Sequence, residues 1–428
     1  MLVLRLLYLV PVFSLLAACD RPEPTSESAP LQSEGPIIVS EQIEVEVVVE
    51  PAPDPAWNAL LADAANNYAA MVSAGYIDAL SGAVELRLAL EQLVEIPSED
   101  TLTAAREAWL DARPPYLQTE VYRFYGGPVD HPETGVEGLL NAWPLDEAFV
   151  DYVEGDPDAG IIAAEVKYPE ITTELLAELN EKEGEENISA GYHAIEFLLW
   201  GQDLDPVGPG ARPFTDYVVS DSGPGRLAER RGQFLLAAAT LLETHLRQLV
   251  EAWEPNQAGN YRAEFLEQAP AQAVSKIMTG FATLAGFELL GERLIVPYET
   301  QAQEDEHSCF SDNTHVDMIE DLRGLLNVWR GRYLKLDGTT VEGPGLQAVV
   351  AEKDADLADR IRLQLEGCFQ AAEELPVPFD QALLGVDSAP GRTAIRDLIE
   401  RLEDLADSIL MAIQVTGLDA RIETGEAE

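Results

Sequence analysis

The stretch Ile188-Ser-Ala-Gly-Tyr-His-Ala-Ile-Glu-Phe-Leu-Leu-Trp-Gly201 decides how the chain is read. Tyr192, Ile195, Leu198 and Leu199 recur at helical spacing and form an apolar stripe, and Gly201 is a natural stop. On such a helix His193 and Glu196 stand one turn apart on one face, so an imidazole and a carboxylate point together. Gly191 removes a side chain where a neighbouring backbone could approach closely. Two such groups begin a metal site, which needs further ligands from elsewhere in the chain. The spacing alone is common in helices, and a hydrogen-bonded structural pair is the plainer reading of it.

Outward from this stretch the helical signal continues. Runs rich in Ala and Leu at three and four spacing cover Trp57 to Val94, Thr101 to Tyr122, Thr172 to Glu183, Gly225 to Trp253, Ala271 to Leu294, His315 to Leu334, Gly345 to Glu374 and Gly391 to Thr416. Breaks are expected near Gly75 and Ser81-Gly82 and at Pro114-Pro115, with Ser98 or Thr101 as a cap. Gly- and Pro-rich stretches at 125–128, 205–213 and 343–345 read as loops. No comparable series of alternating β-branched strands competes, so the fold class is all-α. A loose internal repeat sets His193, Trp200 and Gly201 beside His315, Trp329 and Gly331.

The start of the chain has a different character. Residues 1–18 carry one charge, Arg5, ahead of an apolar run too short to span a bilayer comfortably, which suits a secretory signal. Leu16-Ala-Ala-Cys19 looks like a bacterial lipoprotein cleavage site, making Cys19 the lipidated first residue of the mature chain. Residues 19–55 are acidic and rich in proline, a composition that cannot bury a core and reads as a solvated tether. The expected location is the bacterial cell envelope, anchored to a membrane through the lipid on Cys19 and facing the periplasm.

The formal net charge of −50, from 77 acids against 27 bases, excludes nucleic acid as a natural partner, because phosphate would be repelled. With Cys19 committed to a lipid, Cys309 and Cys368 are left in an oxidising compartment, and a disulfide between them is expected. Asp312, Asn313 or Thr314 can cap the helix near His315, while His131 and His245 read as structural.

Four blocks in order resemble the imelysin family, and more narrowly its iron-regulated protein branch. They are Ala104 to Asp130, Asn141-Ala-Trp-Pro-Leu-Asp146, the Gly-x-His-x-x-Glu helix at 191–196, and Glu304-Asp-Glu-His-Ser-Cys-Phe-Ser-Asp-Asn-Thr-His315. The resemblance implies two related helical bundles over 56–420, with a boundary at 205–225 and the motif near the groove between them. It implies iron, or another divalent metal or an iron-bearing ligand, as the species bound, with iron-transport components as partners. Glu120, in the early block, is the expected third ligand beside His193 and Glu196, and Asp130 and Asp146 are weaker candidates that would otherwise cap turns. Arg123, Ser311, Asp312 and His315 are expected along the groove, with His307 as a further candidate. A metal-dependent peptidase is the alternative, although His193 and Glu196 do not form the His-Glu-x-x-His pattern of a zinc hydrolase. A metal-free module that binds peptide or protein is the third reading.

Overall fold

The computed structural model describes residues 54–205 and 207–422. The expected signal segment, Cys19 and nearly all of the expected tether lie outside the described residues. The principal helices are α1 (Pro55–Glu95), α2 (Glu99–Leu117), α3 (Gly191–Trp200), α4 (Ala228–Ala252), α5 (Pro270–Thr300), α6 (Thr314–Arg330), α7 (Ala355–Glu373) and α8 (Pro390–Thr416). The strands among the described residues are a short antiparallel hairpin, β1 (Arg332–Leu334) with β2 (Thr340–Glu342).

Helix α1 packs chiefly on α2 and α4, and α3 lies against α2 and α4, which makes one bundle. The second bundle is built from α5 to α8, with α7 packed between α6 and α8. Contacts of α1 with α5, and of α2 with α6, join the two. The two-bundle expectation holds, but the expected boundary at 205–225 does not. Helix α4 lies beyond that boundary and still packs into the first bundle, so the chain crosses over between α4 and α5.

Local chemistry explains most helix ends. Asp54 caps α1, accepting from the Ala56 amide at 2.9 Å, with Pro55 at the first helical position. Ser98 and Thr101 form a reciprocal capping box at the start of α2. The expected breaks in α1 do not occur, because its glycines serve packing. A Cβ on Gly82 would lie 3.0 Å from the Ala112 Cα of α2, and one on Gly75 would lie 3.2 Å from the Tyr122 ring. Pro114 and Pro115 sit in the last turn of α2, where each removes one amide donor, yet the helix runs through them and ends at Leu117, two residues on. The expected helix from Gly345 is divided where Asp354 caps α7 at the Leu357 amide, 2.9 Å away.

Within α5, residues Leu284–Ile295 widen into a π-helix. This helix is long and apolar enough to cross a membrane, yet 78% of its apolar window is buried inside the fold, as befits a core helix. The hairpin, which the sequence pattern did not reveal, begins after the left-handed Gly331 that ends α6. It is tied to α1 by the Tyr333 hydroxyl, which donates to Asp78 at 2.8 Å, and by the Asn67 amide, which donates to the Gly331 carbonyl at 2.8 Å.

The expected disulfide is not formed: Cys309 and Cys368 are both free and buried. Cys309 has Glu196, Glu306 and Glu147 around it, whereas Cys368 sits on α7 beside Arg401 and Asp404 of α8. Burial raises both thiols, Cys368 to about 12, so neither is poised to react. Unfolded in denaturant without reductant, the full chain should show three titratable thiols to Ellman's reagent with Cys19 unmodified, or two with Cys19 lipidated; two fewer in either case would mean that the pair is bridged.

Candidate ligand site

Every residue of α3 is buried. Its entry depends on Gly191, whose φ of 81° is left-handed and whose added Cβ would come 2.5 Å from the Leu140 carbonyl oxygen. That carbonyl accepts the Tyr192 amide at 2.8 Å. At the other end the helix carbonyls find side-chain donors. The Tyr217 hydroxyl donates to Leu198 at 2.8 Å, and the Arg106 guanidinium donates to Leu199 at 2.9 and 3.1 Å. The motif helix is therefore fixed at both ends before any site chemistry is considered.

On this helix His193 and Glu196 meet as their spacing requires, with Nδ1 and Oε2 2.9 Å apart. The second carboxyl oxygen of Glu196 accepts from both the hydroxyl and the amide of Ser311, at 2.6 and 3.0 Å. Burial pushes the Glu196 carboxyl up to about 8 in spite of Ser311, and burial together with Arg113 holds the His193 imidazole well below its usual value. The two therefore form a neutral hydrogen-bonded dyad rather than an ion pair. Nε2 of His193 is buried with no hydrogen-bond partner. With the dyad proton on Glu196, Nδ1 accepts and Nε2 carries hydrogen; with that proton lost, Nδ1 donates and Nε2 presents a lone pair. An imidazole oriented through Nδ1 by a carboxylate is the usual second-shell arrangement of a metal-binding histidine.

Beside the dyad stands His307, its ring 4.8 Å from that of His193. Its Nδ1 lies 2.7 Å from Asp317, and its Nε2 lies 3.3 Å from the Asn141 amide. Asp317 also accepts from Ser308 at 2.5 Å, from Arg113 at 3.1 Å and, through its other oxygen, from Asn313 at 3.2 Å. These partners keep the Asp317 carboxyl ionised far below its usual range. A second buried network adjoins the first. Glu120 accepts from Arg123 at 2.6 Å and Arg293 at 2.7 Å, and Arg293 reaches Asp321 at 2.5 Å. The π-helical stretch of α5 carries Arg293 into this interior, where it is 1% exposed.

The structure thus brings His193, Glu196 and Ser311 together and gives the other expected residues different work. Glu120 gives its Oε2 to two arginines while its Oε1 is buried without a hydrogen-bond partner; it lies near enough to act on the charge of His193, but it does not join the dyad in a group of three side chains that could hold a metal, which corrects its expected part as third ligand. Arg123 belongs to that same network. Asp312 is half-buried near Asp203 and Asp380, and burial with these neighbours lifts its carboxyl to about 7. His315 turns its ring back to the Asp312 carbonyl, 3.2 Å away, and does not join the dyad. Asp130 and Asp146 accept from nearby amides and shape turns. Of the signature histidines, His307 rather than His315 reaches the site. Arg113, Asn141 and Asp317 carried no signal of their own, although the first two lay inside blocks that the family resemblance had marked.

Among the described residues no three His, Cys, Asp or Glu side chains stand together closely enough to hold a metal ion. As they stand, the dyad offers one unpartnered imidazole nitrogen, which presents a lone pair only once the dyad proton is lost, with both Glu196 oxygens engaged and Arg113 close by. They do not fit a bare ion, which needs several protein donors.

The architecture and site define a class: an all-α, two-bundle protein with a buried Gly-x-His-x-x-Glu helix. The chain belongs to the imelysin family, whose model matches residues 72–409. It is 25% identical over 349 residues to Iron-regulated protein A of Synechococcus elongatus, covering 79% of this chain and 82% of that protein. Two crystal structures share the fold. One, described as an iron-regulated protein A precursor from Parabacteroides distasonis, has a TM-score of 0.64 at 15% identity, covering 86% of this chain and 97% of that one. The other, an imelysin-like protein from Psychrobacter arcticum, has a TM-score of 0.58 at 17% identity, covering 86% and 96%.

Two measurements probe this geometry. Gly191→Ala forces a side chain into a left-handed position against Leu140 and should cost about 2–4 kcal/mol in denaturant unfolding; a change within 0.5 kcal/mol would show that the close approach is dispensable. Glu196 titrates near 4.5 when unconstrained and near 8 in the fold, so between these values the folded chain holds a proton that the unfolded chain has released. That contribution to stability declines as pH rises through the window. Glu196→Gln keeps the shape without titrating, and its melting temperature should fall less than wild type between these pH values.

Proposed function

We propose that this protein acts in bacterial iron handling as a binding protein, anchored in the cell envelope through lipid on Cys19 and facing the periplasm. Its ligand is an iron-bearing molecule taken at the His193–Glu196 dyad. The observation that carries this reading is the buried Nε2 of His193, left without a partner while Glu196 and Ser311 fix the rest of the ring. The name of the Synechococcus relative supports the link to iron. A chelate brings most of its own oxygen donors and asks for one or two from the protein, which suits a single imidazole nitrogen that presents its lone pair when the dyad releases its proton. Entry requires the segment around Ser311 to lift, since His193 and Glu196 are at most 1% exposed.

The peptidase reading is less well served by the geometry. A hydrolytic carboxylate must meet a water, and both oxygens of Glu196 are already occupied.

The test is iron retained by the full chain after gel filtration, loaded with iron(III) citrate or with iron(II) alone. Wild type should keep iron from the citrate complex in a fixed ratio, and folded His193→Ala should keep at least tenfold less. Equal retention by both would remove the dyad from the site, and peptide cleavage that a chelator stops would favour the peptidase.

A further inference from the structure

The block Tyr122-Arg-Phe-Tyr-Gly-Gly-Pro-Val-Asp130 takes no part in the dyad, yet its backbone is unusual. Phe124 is left-handed with φ 71°, a conformation that costs a bulky residue about 1–3 kcal/mol. Gly126 follows at φ 68°. The Asp130 carboxylate holds the loop in this shape, accepting from the Tyr125 amide at 3.1 Å and the Gly127 amide at 2.8 Å. The strained loop forms one wall of a cleft of about 1080 Å³, the face of α5 around Lys276 forms the second, and Gly417–Arg421 forms the third. The third wall is pinned in place. The Asp419 amide donates to the Ser275 hydroxyl at 3.0 Å, and the Arg421 amide donates to the Thr279 hydroxyl at 3.4 Å.

Lys276 is the odd group in this cleft. Acids outnumber bases 77 to 27 in the chain, yet none of the ion pairs among the described residues includes Lys276. Its ammonium is partly buried and leans on the Tyr261 ring, 5.7 Å from the centroid. Burial lowers its pKa, and Asp130 only partly offsets this. A partly desolvated cation that Asp130 compensates only in part, and that makes no ion pair among the described residues, gains from an anion that enters beside it. Phe124, Tyr125 and Leu418 offer apolar surface next to it, and the Tyr125 hydroxyl is already paired with Tyr68 at 3.0 Å. Asp130, Asp419 and Arg421 also line the cleft, so its wall mixes apolar and charged surface around Lys276; apolar surface beside a few polar groups is the general form of a small-molecule pocket. The charge of −50 sets a limit on what enters, since it opposes polyanions more strongly than a monoanion whose apolar body contributes most of the affinity.

We propose that this cleft binds an organic monocarboxylate with an aromatic or branched apolar body, its carboxylate on the Lys276 ammonium and its body against Phe124, Tyr125 and Leu418. The same chemistry occurs in a free acid and at the C-terminal end of a peptide. The site is separate from the dyad and does not depend on iron.

Calorimetric titration of the full chain with 3-phenylpropionate and with N-acetyl-alanyl-phenylalanine, each beside its amide, tests the proposal. One-to-one binding of at least one acid is expected, weakened at least tenfold by amidation and at least tenfold by Lys276→Gln, and unchanged by His193→Ala. Tighter binding of the capped dipeptide would identify a peptide terminus as the source of the carboxylate, and tighter binding of phenylpropionate a free acid; both sustain the site. No binding of either acid, equal binding of the amides, or undiminished binding by folded Lys276→Gln would overturn it.

Discussion

A buried carboxylate must be satisfied from all sides, and in this protein Asp317 is where that demand falls most heavily. It has no exposed surface, and it is met by Arg113 from α2, by His307 and Ser308 from the segment before α6, and by Asn313 at the head of α6. Removing one partner of such a group typically costs several kcal/mol, so these elements are stable only together. The Arg113 guanidinium in turn lies over the Tyr192 ring, 5.0 Å from its centroid, and donates to Asn141 at 2.6 Å. Through these contacts one carboxylate in the second bundle sets the position of the motif helix in the first. The dyad itself lies on one helix of the first bundle, but its partners Ser311 and His307 come with the second, so the complete site forms where the bundles meet.

The helical character of the chain was legible because most helices advertise themselves by period and by cap, as at Ser98 and Thr101. What escaped was set by tertiary approach. Gly75 and Gly82 look like helix breakers in sequence and are packing devices in the fold, a difference that depends on Tyr122 and Ala112 being opposite them. The hairpin after Gly331 is too short to show a period of its own and relies on Asn67 and Tyr333 to hold it on α1. The crossover between bundles was misjudged because the Gly/Pro-rich loop at 205–213 resembles a linker, whereas α4 beyond it still has a face to bury against α1.

In the site the pair three residues apart was readable and its partners were not. Spacing along one helix is a local property, so His193 and Glu196 could be matched from sequence. Ser311 and His307 come from a segment more than a hundred residues later, and which of its histidines turns inward is decided by Asp317. Glu120 shows the converse problem. A carboxylate in a recognised block was a reasonable ligand, but Arg293 reaches it only because α5 widens into a π-helix, a distortion with no evident sequence mark. Some of the scarce bases are an interior resource here: Arg113, Arg212, Arg231, Arg293 and Arg392 are all buried and engaged with carboxylates or carbonyls.

The separation of Cys309 from Cys368 bears on how the protein matures. With both thiols free and enclosed, the described core is held by packing and buried polar networks without a disulfide between the two cysteines. Its assembly needs no electron acceptor and no isomerase to correct a wrong pairing. A core that reaches its native state in this way keeps its shape whether its surroundings are reducing or oxidising.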